Sequence, residues 1–288
     1  MKVTMFVVLV ALSLTATAQE TASLQDKVDN SWSATVVKKL RINYFSELLG
    51  PGFDSKDGNI PDVDAKGNAV NNTEPTQLWN QISFGWHVTD NWRLILNPRF
   101  TSHLGNRDDI PSDNSVLRTE DFLTGFQGTL WSSGAWSVWI RPAYRLPTSR
   151  ATRDANWNGQ AEWLHIIDRA PGTETRWGVG MWTMARAYLP TGETTNERWR
   201  IYNAPYVTYN INDKWRAEVF YENEIQHNQP RGKRAYNYAR TTLQSGMTGV
   251  TYIISPSLSI FPFIRYYTVR KLDPSTMGLG AWIQAALF

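Results

Sequence analysis

The chain has 288 residues, and its 29 Lys and Arg nearly balance its 26 Asp and Glu, which leaves a formal charge of +3. This near-balance argues against nucleic acid as a partner, and the absence of cysteine excludes a disulfide framework and a cysteine-ligated metal. The 14 Trp, 12 Tyr and 11 Phe stand in a chain whose mean hydropathy is negative. Many aromatics in a polar chain are typical of a membrane barrel with a wet interior; a secreted carbohydrate-binding β-sandwich is the soluble alternative.

The N-terminus predicts export. An apolar run from Met5 to Leu14 follows a basic residue and precedes the small residues Ala-Thr-Ala, so residues 1–18 have the pattern of a secretory signal peptide. No later stretch approaches the roughly 18 consecutive apolar residues that a transmembrane helix needs. We expect a short periplasmic lead-in over residues 19–32 and the folded part over residues 33–288.

The first predicted strand shows the alternation that recurs along the chain. Leu40, Ile42 and Leu48 share one parity, whereas Lys39 and Arg41 share the other. This period-two pattern is the signal of a strand. In an outer-membrane barrel the apolar face would contact lipid and the charged face would line the lumen. The following residues, 50–74, are rich in Gly, Asp, Asn and Pro and predict a long exposed loop.

Tight polar turns then separate pairs of alternating stretches. Four of these turns lie at residues 89–91, 132–134, 211–213 and 255–257. A longer turn is predicted around residues 171–173. Without it, the turn at residues 211–213 would lie on the opposite side of the membrane from the earlier turns. The result is an all-β fold, a closed antiparallel transmembrane barrel of about twelve strands with short periplasmic turns and longer extracellular loops.

Particular aromatic and proline residues follow the turns. Trp92, Trp136 and Trp215 come just after three of them, where an interfacial aromatic belt would lie. Three strands that leave a turn carry a proline on the apolar parity, namely Pro98, Pro142 and Pro262. Because proline cannot donate a ladder hydrogen bond, we expect these positions to mark bulges.

The last stretch, residues 278–288, is an uncharged apolar strand that ends on Phe288. It resembles the C-terminal signature of bacterial outer-membrane β-barrels. That resemblance implies insertion into the outer membrane of a Gram-negative cell by the barrel assembly machinery, through Phe288. The terminal-Phe rule would turn Trp282 and Gln284 toward lipid. The apolarity of the intervening residues instead turns these two side chains into the lumen, and we favour the lumen.

The charged parity of the strands supplies the predicted pore lining. Its basic members are Lys39, Arg41, Arg99, Arg141, Arg145, Arg186 and Arg265. Its acidic members are Glu218, Glu222 and Glu224. Arg99 and Glu222 each lie seven residues beyond the Trp that opens their strand. Strands three and nine are opposite each other in a twelve-stranded barrel, so a basic wall is predicted to face an acidic wall.

These residues predict a passive channel and no enzyme. The four histidines, His87, His103, His165 and His227, lie in no spaced nucleophile or metal motif, so we expect no catalytic site, metal or cofactor. The desolvation cost of dry buried charges favours water in the lumen. In architecture the chain resembles the arginine-lined twelve-stranded channels for acidic sugars, which implies small polar or anionic solutes. The alternative is a non-conducting barrel with a salt-bridged interior that acts through its extracellular loops, in contact with lipid and lipopolysaccharide.

Overall fold

The structure is a computed structural model that describes residues 38–53, 62–63, 69–70, 76–104, 117–154, 157–172, 175–190, 197–228, 239–267 and 274–287. The predicted signal peptide and lead-in, and Phe288, lie outside these ranges. The strands form a closed antiparallel barrel of twelve strands, which confirms the predicted fold class and strand number. No helix in the described ranges has the length and hydropathy that crossing a bilayer requires.

The twelve barrel strands are numbered in chain order. They are β1 Leu40–Gly52, β2 Gln77–His87, β3 Trp92–Asn97 with Arg99–His103, β4 Leu117–Thr119 with Phe122–Ser133, β5 Trp136–Leu146, β6 Trp157–Arg169, β7 Trp177–Pro190, β8 Glu197–Asn210, β9 Trp215–Asn228, β10 Ala239–Ser255, β11 Leu258–Tyr267 and β12 Met277–Ala286. Three minor elements lie in the connections: a two-residue ladder of Asp62–Val63 with Ala69–Val70, helix α1 Arg150–Asp154, and a 3-10 turn Pro274–Thr276.

The first strand closes the barrel. β1 pairs with β2 on one side and with β12 on the other, so that Glu47 lies opposite both Trp79 and Trp282. Every barrel strand therefore has two neighbours, and the sheet has no open edge. The first and last strands of the chain meet because a barrel can satisfy all backbone groups in a membrane only when it is closed.

The two faces of the barrel differ in exposure as the alternation predicts. Along β3, Leu94 is 44% exposed, Ile95 1% and Leu96 44%. The outer face also carries tryptophans beside the short turns, among them Trp136 and Trp215, and the ring of Trp215 lies 4.5 Å from that of Tyr252. An apolar outer band with aromatic residues at its end is the exterior of a transmembrane barrel.

The three prolines do not form bulges, and this prediction is wrong. Pro142 and Pro262 keep their places in the ladder, opposite Trp163 and Ala281, and the register with β2 is the same on both sides of Pro98. The carbonyl of Pro98 still accepts a hydrogen bond from the backbone nitrogen of Ile82 at 3.1 Å. A proline lacks only its own N–H, and its carbonyl can still accept a hydrogen bond from the same neighbouring strand, so the register is maintained.

Candidate pore lining

An arginine cluster surrounds one buried carboxylate inside β5, β6 and β7. Glu162 on β6 accepts hydrogen bonds from Arg141 Nη2 at 2.8 Å, from Arg145 Nε at 2.6 Å and from Arg186 Nη2 at 3.2 Å. The register explains the convergence. Glu162 lies opposite Ala143 on β5, between Arg141 and Arg145, and opposite Arg186 on β7, so all three guanidinium groups reach it diagonally or directly.

A fourth arginine belongs to the same cluster. Arg99 on β3 is 5% exposed and interacts electrostatically with Arg145 and Glu162. Its Nε donates to Gln81 Oε1 at 2.8 Å, and its guanidinium carbon lies 5.1 Å from the ring centroid of Trp79. Three guanidinium groups thus share one carboxylate and a fourth lies within its field, which leaves an excess of three positive charges at this level of the lumen. We call Arg99, Arg141, Arg145, Arg186 and Glu162 the arginine cluster.

A second ion-pair group lies on the opposite wall. Arg265 Nη2 on β11 is 3.3 Å from Glu47 Oε1 and 3.4 Å from Glu222 Oε2. Glu222 also accepts from Tyr202 Oη at 2.5 Å and from Ser245 Oγ at 2.6 Å. Two carboxylates share one guanidinium group here, so the wall of β1, β9 and β11 carries the excess negative charge.

Aromatic side chains fill the middle of the lumen. Phe220, Phe261, Phe263 and Trp282 are buried and pack with Met247, which is fully buried. The ring of Trp182 stacks on that of Trp282 with centroids 6.2 Å apart and an interplanar angle of 11°. Trp282 Nε1 donates to Glu47 Oε1 at 3.0 Å, which ties these rings to the Arg265 group. We call Trp182, Phe220, Phe261, Phe263 and Trp282 the aromatic layer, and their apolar side chains line the lumen at this level.

A polar chamber of about 260 Å³ lies between the aromatic layer and the short turns. Glu218 accepts from Arg216 Nε at 2.9 Å and from the hydroxyl of Thr251. Asp168 accepts from Tyr206 Oη at 2.7 Å. Gln284, the predicted lumen residue of the last strand, lines this chamber beside Trp282.

The remaining predicted residues lie away from these groups. Glu224 pairs with Arg200 at 3.3 Å. Arg41 lies on the inner face beside Gly85, near the short-turn end. Lys39 is not in the lumen, and its placement there is wrong. It precedes β1 in a helical turn, where strand alternation does not apply, and its Nζ lies 6.0 Å from the ring centroid of Trp86, an exposed outer-face residue.

Several interior residues have no place in the predicted lining. They are Glu162, Asp168, Tyr202, Trp182, Phe220, Phe261 and Phe263. Strand alternation could have placed Phe261 and Phe263 in the lumen, because they share the parity of Arg265 on the same strand. Glu162 was hidden because its strand alternates poorly in sequence: Leu164 and Ile166 share its inward parity.

A closed barrel with an apolar exterior and a charged and aromatic interior has the fold of outer-membrane porins and channels. No protein-family model matches the chain, and no curated protein is similar in sequence. The COG4313 outer membrane channel from Pseudomonas putida F1 aligns over 86% of this chain and 95% of its own, with a TM-score of 0.57 and 10% identity.

Two further solved structures are similar at lower scores. The NanC porin aligns over 86% of this chain and 98% of its own, with a TM-score of 0.47 and 8% identity. OmpF of Salmonella typhi, solved with daunomycin, covers 86% of this chain and 96% of its own, with a TM-score of 0.42 and 6% identity. At these identities the likeness concerns the fold alone.

Proposed function

We propose that the protein is a narrow outer-membrane channel for the passive diffusion of small polar solutes, with a preference for anions. The observation that carries the proposal is the arginine cluster, where three guanidinium groups share the single carboxylate of Glu162 and the fourth, that of Arg99, lies within its field. Fixed positive charge inside a low-dielectric wall raises the local concentration of anions and lowers that of cations.

Unused hydrogen-bond donors support an anion in this position. The Nε atoms of Arg141 and Arg186 are buried and have no hydrogen-bond partner in the structure. A buried donor without an acceptor is unfavourable by about 1–3 kcal/mol, and more when the group is charged. A carboxylate, phosphate or chloride that enters the cluster would supply acceptors that the protein itself does not.

The aromatic layer favours a second candidate function, a non-conducting barrel that acts through its extracellular loops. Its rings pack against one another across the lumen, from Trp182 on β7 to Phe261 on β11 and Trp282 on β12. A hydrophobic constriction excludes water and ions until its side chains move. Conductance of the purified protein in a planar bilayer separates the two functions, because the second predicts no single-channel current.

We also propose how the barrel lies in the cell. Residues 1–18 would direct export, the terminal strand with Phe288 would be recognised by the barrel assembly machinery, and the short turns would face the periplasm. The outer band would contact lipid and lipopolysaccharide. The similarity to channels in fold supports this placement, and protease accessibility of the longer loops on intact cells tests it. We propose no catalytic role.

Removing positive charge from the arginine cluster is expected to abolish the anion preference. In the Arg99→Gln, Arg141→Gln, Arg186→Gln triple variant only the neutral pair of Arg145 and Glu162 remains. The reversal potential measured in a KCl gradient should then move from a value displaced toward the chloride equilibrium potential to a value near zero. Because arginines outside the lumen do not act on permeating ions, Arg150→Gln with Arg153→Gln and Arg176→Gln is the charge-matched control. An unchanged reversal potential in the lumen variant would contradict the proposed selectivity.

A further inference from the structure

The outward positions of five neighbouring strands, β6 to β10, carry a continuous row of polar side chains. The row consists of His165, Thr183, Asn203, Asn223 and Gln244, and each member lies directly opposite the next in the strand ladders. We call these five residues the polar row. Its continuity does not follow from any local pattern, because the five residues come from five separate strands.

Flanking residues show that the polar row faces outward. Side chains two residues away on the same strands are exposed, including Trp163 at 45%, Met181 at 37% and Tyr221 at 41%. The alternate positions are buried inside the barrel, as Glu162 and Ser245 show. Each member of the polar row is itself partly exposed. The row therefore lies on the surface that would contact lipid.

Two polar residues on the outer face of other strands, Asn80 and Thr124, form hydrogen bonds within the chain. Asn80 is 2% exposed, and its Oδ1 accepts hydrogen bonds from Tyr44 Oη at 2.6 Å and Ser46 Oγ at 3.1 Å. The Thr124 hydroxyl donates to the carbonyl oxygen of Ile95 at 3.1 Å. Within the polar row the structure describes one side-chain hydrogen bond, from Thr183 Oγ1 to Asn203 Oδ1 at 2.9 Å. Most of the hydrogen-bonding capacity of the row is directed away from the barrel.

Lipid headgroups cannot satisfy the whole row. His165 lies four residues from the short-turn end of β6, whereas Gln244 lies eleven residues from the short-turn end of β10. Because barrel strands are tilted, the row crosses the outer band obliquely. Its middle members then face hydrocarbon, where an amide without a hydrogen-bond partner is strongly unfavourable.

Small residues beside the polar row allow another protein to approach closely. Ala161, Ala185 and Ala187 lie in an apolar groove of about 470 Å³ between Trp163 and Trp199. The groove is adjacent to the row, since Ala185 is two residues from Thr183 on β7. A row of hydrogen-bonding side chains beside an apolar groove is more typical of a protein interface than of a surface that contacts lipid.

We propose that the outer face of β6 to β10 is the interface of a homodimer formed with a second copy of this chain. A primary amide carries both donors and an acceptor, so an amide that lies close to a twofold axis is complementary to its own copy. Two copies inserted in the same direction are related by an axis along the membrane normal. Their oblique rows cross, and Asn203, the middle member, lies nearest the crossing.

Cysteine cross-linking in membranes tests this placement, and the chain has no cysteine of its own. Asn203→Cys should give a disulfide-linked dimer when isolated outer membranes are oxidised, because its two copies lie near the axis. Ile264→Cys on β11, an equally outward position at 41% exposure, is the matched control and should stay monomeric. No dimer at residue 203, equal dimer at both positions, or a cross-link from residue 203 to a different protein would overturn the proposal.

The polar row itself is tested in detergent. The Asn203→Leu, Asn223→Leu double variant should sediment as a monomer where the natural protein sediments as a dimer, since the amides that join the copies are gone. Thr124→Val, which removes an outward hydroxyl far from the row, should leave the dimer intact. Leucine suits a lipid-facing position, so the variant should keep its heat-modifiable mobility as a folded barrel. A monomeric natural protein, or a double variant that remains dimeric, would contradict the interface.

Discussion

Replacing Glu162 by glutamine is expected to lower the free energy of unfolding by about 3–5 kcal/mol, the cost of leaving buried charges without their counter-ion. Arg141, Arg145 and Arg186 all donate to this one carboxylate, and Arg99 lies within its field. The variant would leave four guanidinium groups facing one another. Urea titration of the barrel refolded in phospholipid vesicles measures the effect.

The matched control for Glu162→Gln is Glu224→Gln. Glu224 also lies on the inner face and forms an ion pair with Arg200, but both side chains of this pair are more exposed to solvent than Glu162 and its arginines. A partly solvated pair contributes about 0–1 kcal/mol, so the control should be much less destabilised. Equal losses in the two variants would mean that the arginine cluster is neutralised by bound anions and not by Glu162.

The second large effect is expected from Trp282→Ala, which should increase single-channel conductance several-fold. The indole ring contacts Trp182, Phe220, Phe261 and Phe263, and together they occupy the centre of the lumen. Removing it opens space within the aromatic layer, where a hydrophobic constriction resists water and ions. Planar-bilayer recording of the purified variant beside the natural protein measures the change.

Trp163→Ala is the control for Trp282→Ala, because this tryptophan lies on the outer face and does not border the lumen. Its conductance should equal that of the natural protein. The cavity left by Trp282→Ala also costs stability, about 3–5 kcal/mol for a large aromatic, so folding of the variant must be verified by heat-modifiable mobility. A folded Trp282→Ala barrel with unchanged conductance would show that the aromatic layer does not limit passage.

Trp282 and Arg265 have partners from distant parts of the chain. Arg265 and Glu47 are separated by 218 residues in sequence, and they meet because β1 closes the barrel against β12. From the sequence we predicted that Arg265 belongs to a basic wall. Strand alternation shows which face a side chain occupies, but it does not show which side chains surround it. The ladder register shows which neighbours it has, and here these neighbours are two carboxylates.

The barrel itself was readable from local patterns. Alternation gives the two faces of each strand, and the polar turns at residues 89–91 and 211–213 show where strands end, because both signals depend on residues close together in the chain. The prediction about prolines was wrong for a related reason: the effect of Pro98 on register depends on β2, which continues to bond its carbonyl.

The sequence by itself determined an all-β barrel of twelve strands with an apolar exterior and many charges inside. Only the tertiary structure decided that three arginines share Glu162, that aromatic rings meet in the middle of the lumen, and that five outward polar side chains form one continuous row. The physical reason is that these arrangements depend on register between strands. Register is a property of the closed sheet, in which each strand is aligned by both of its neighbours.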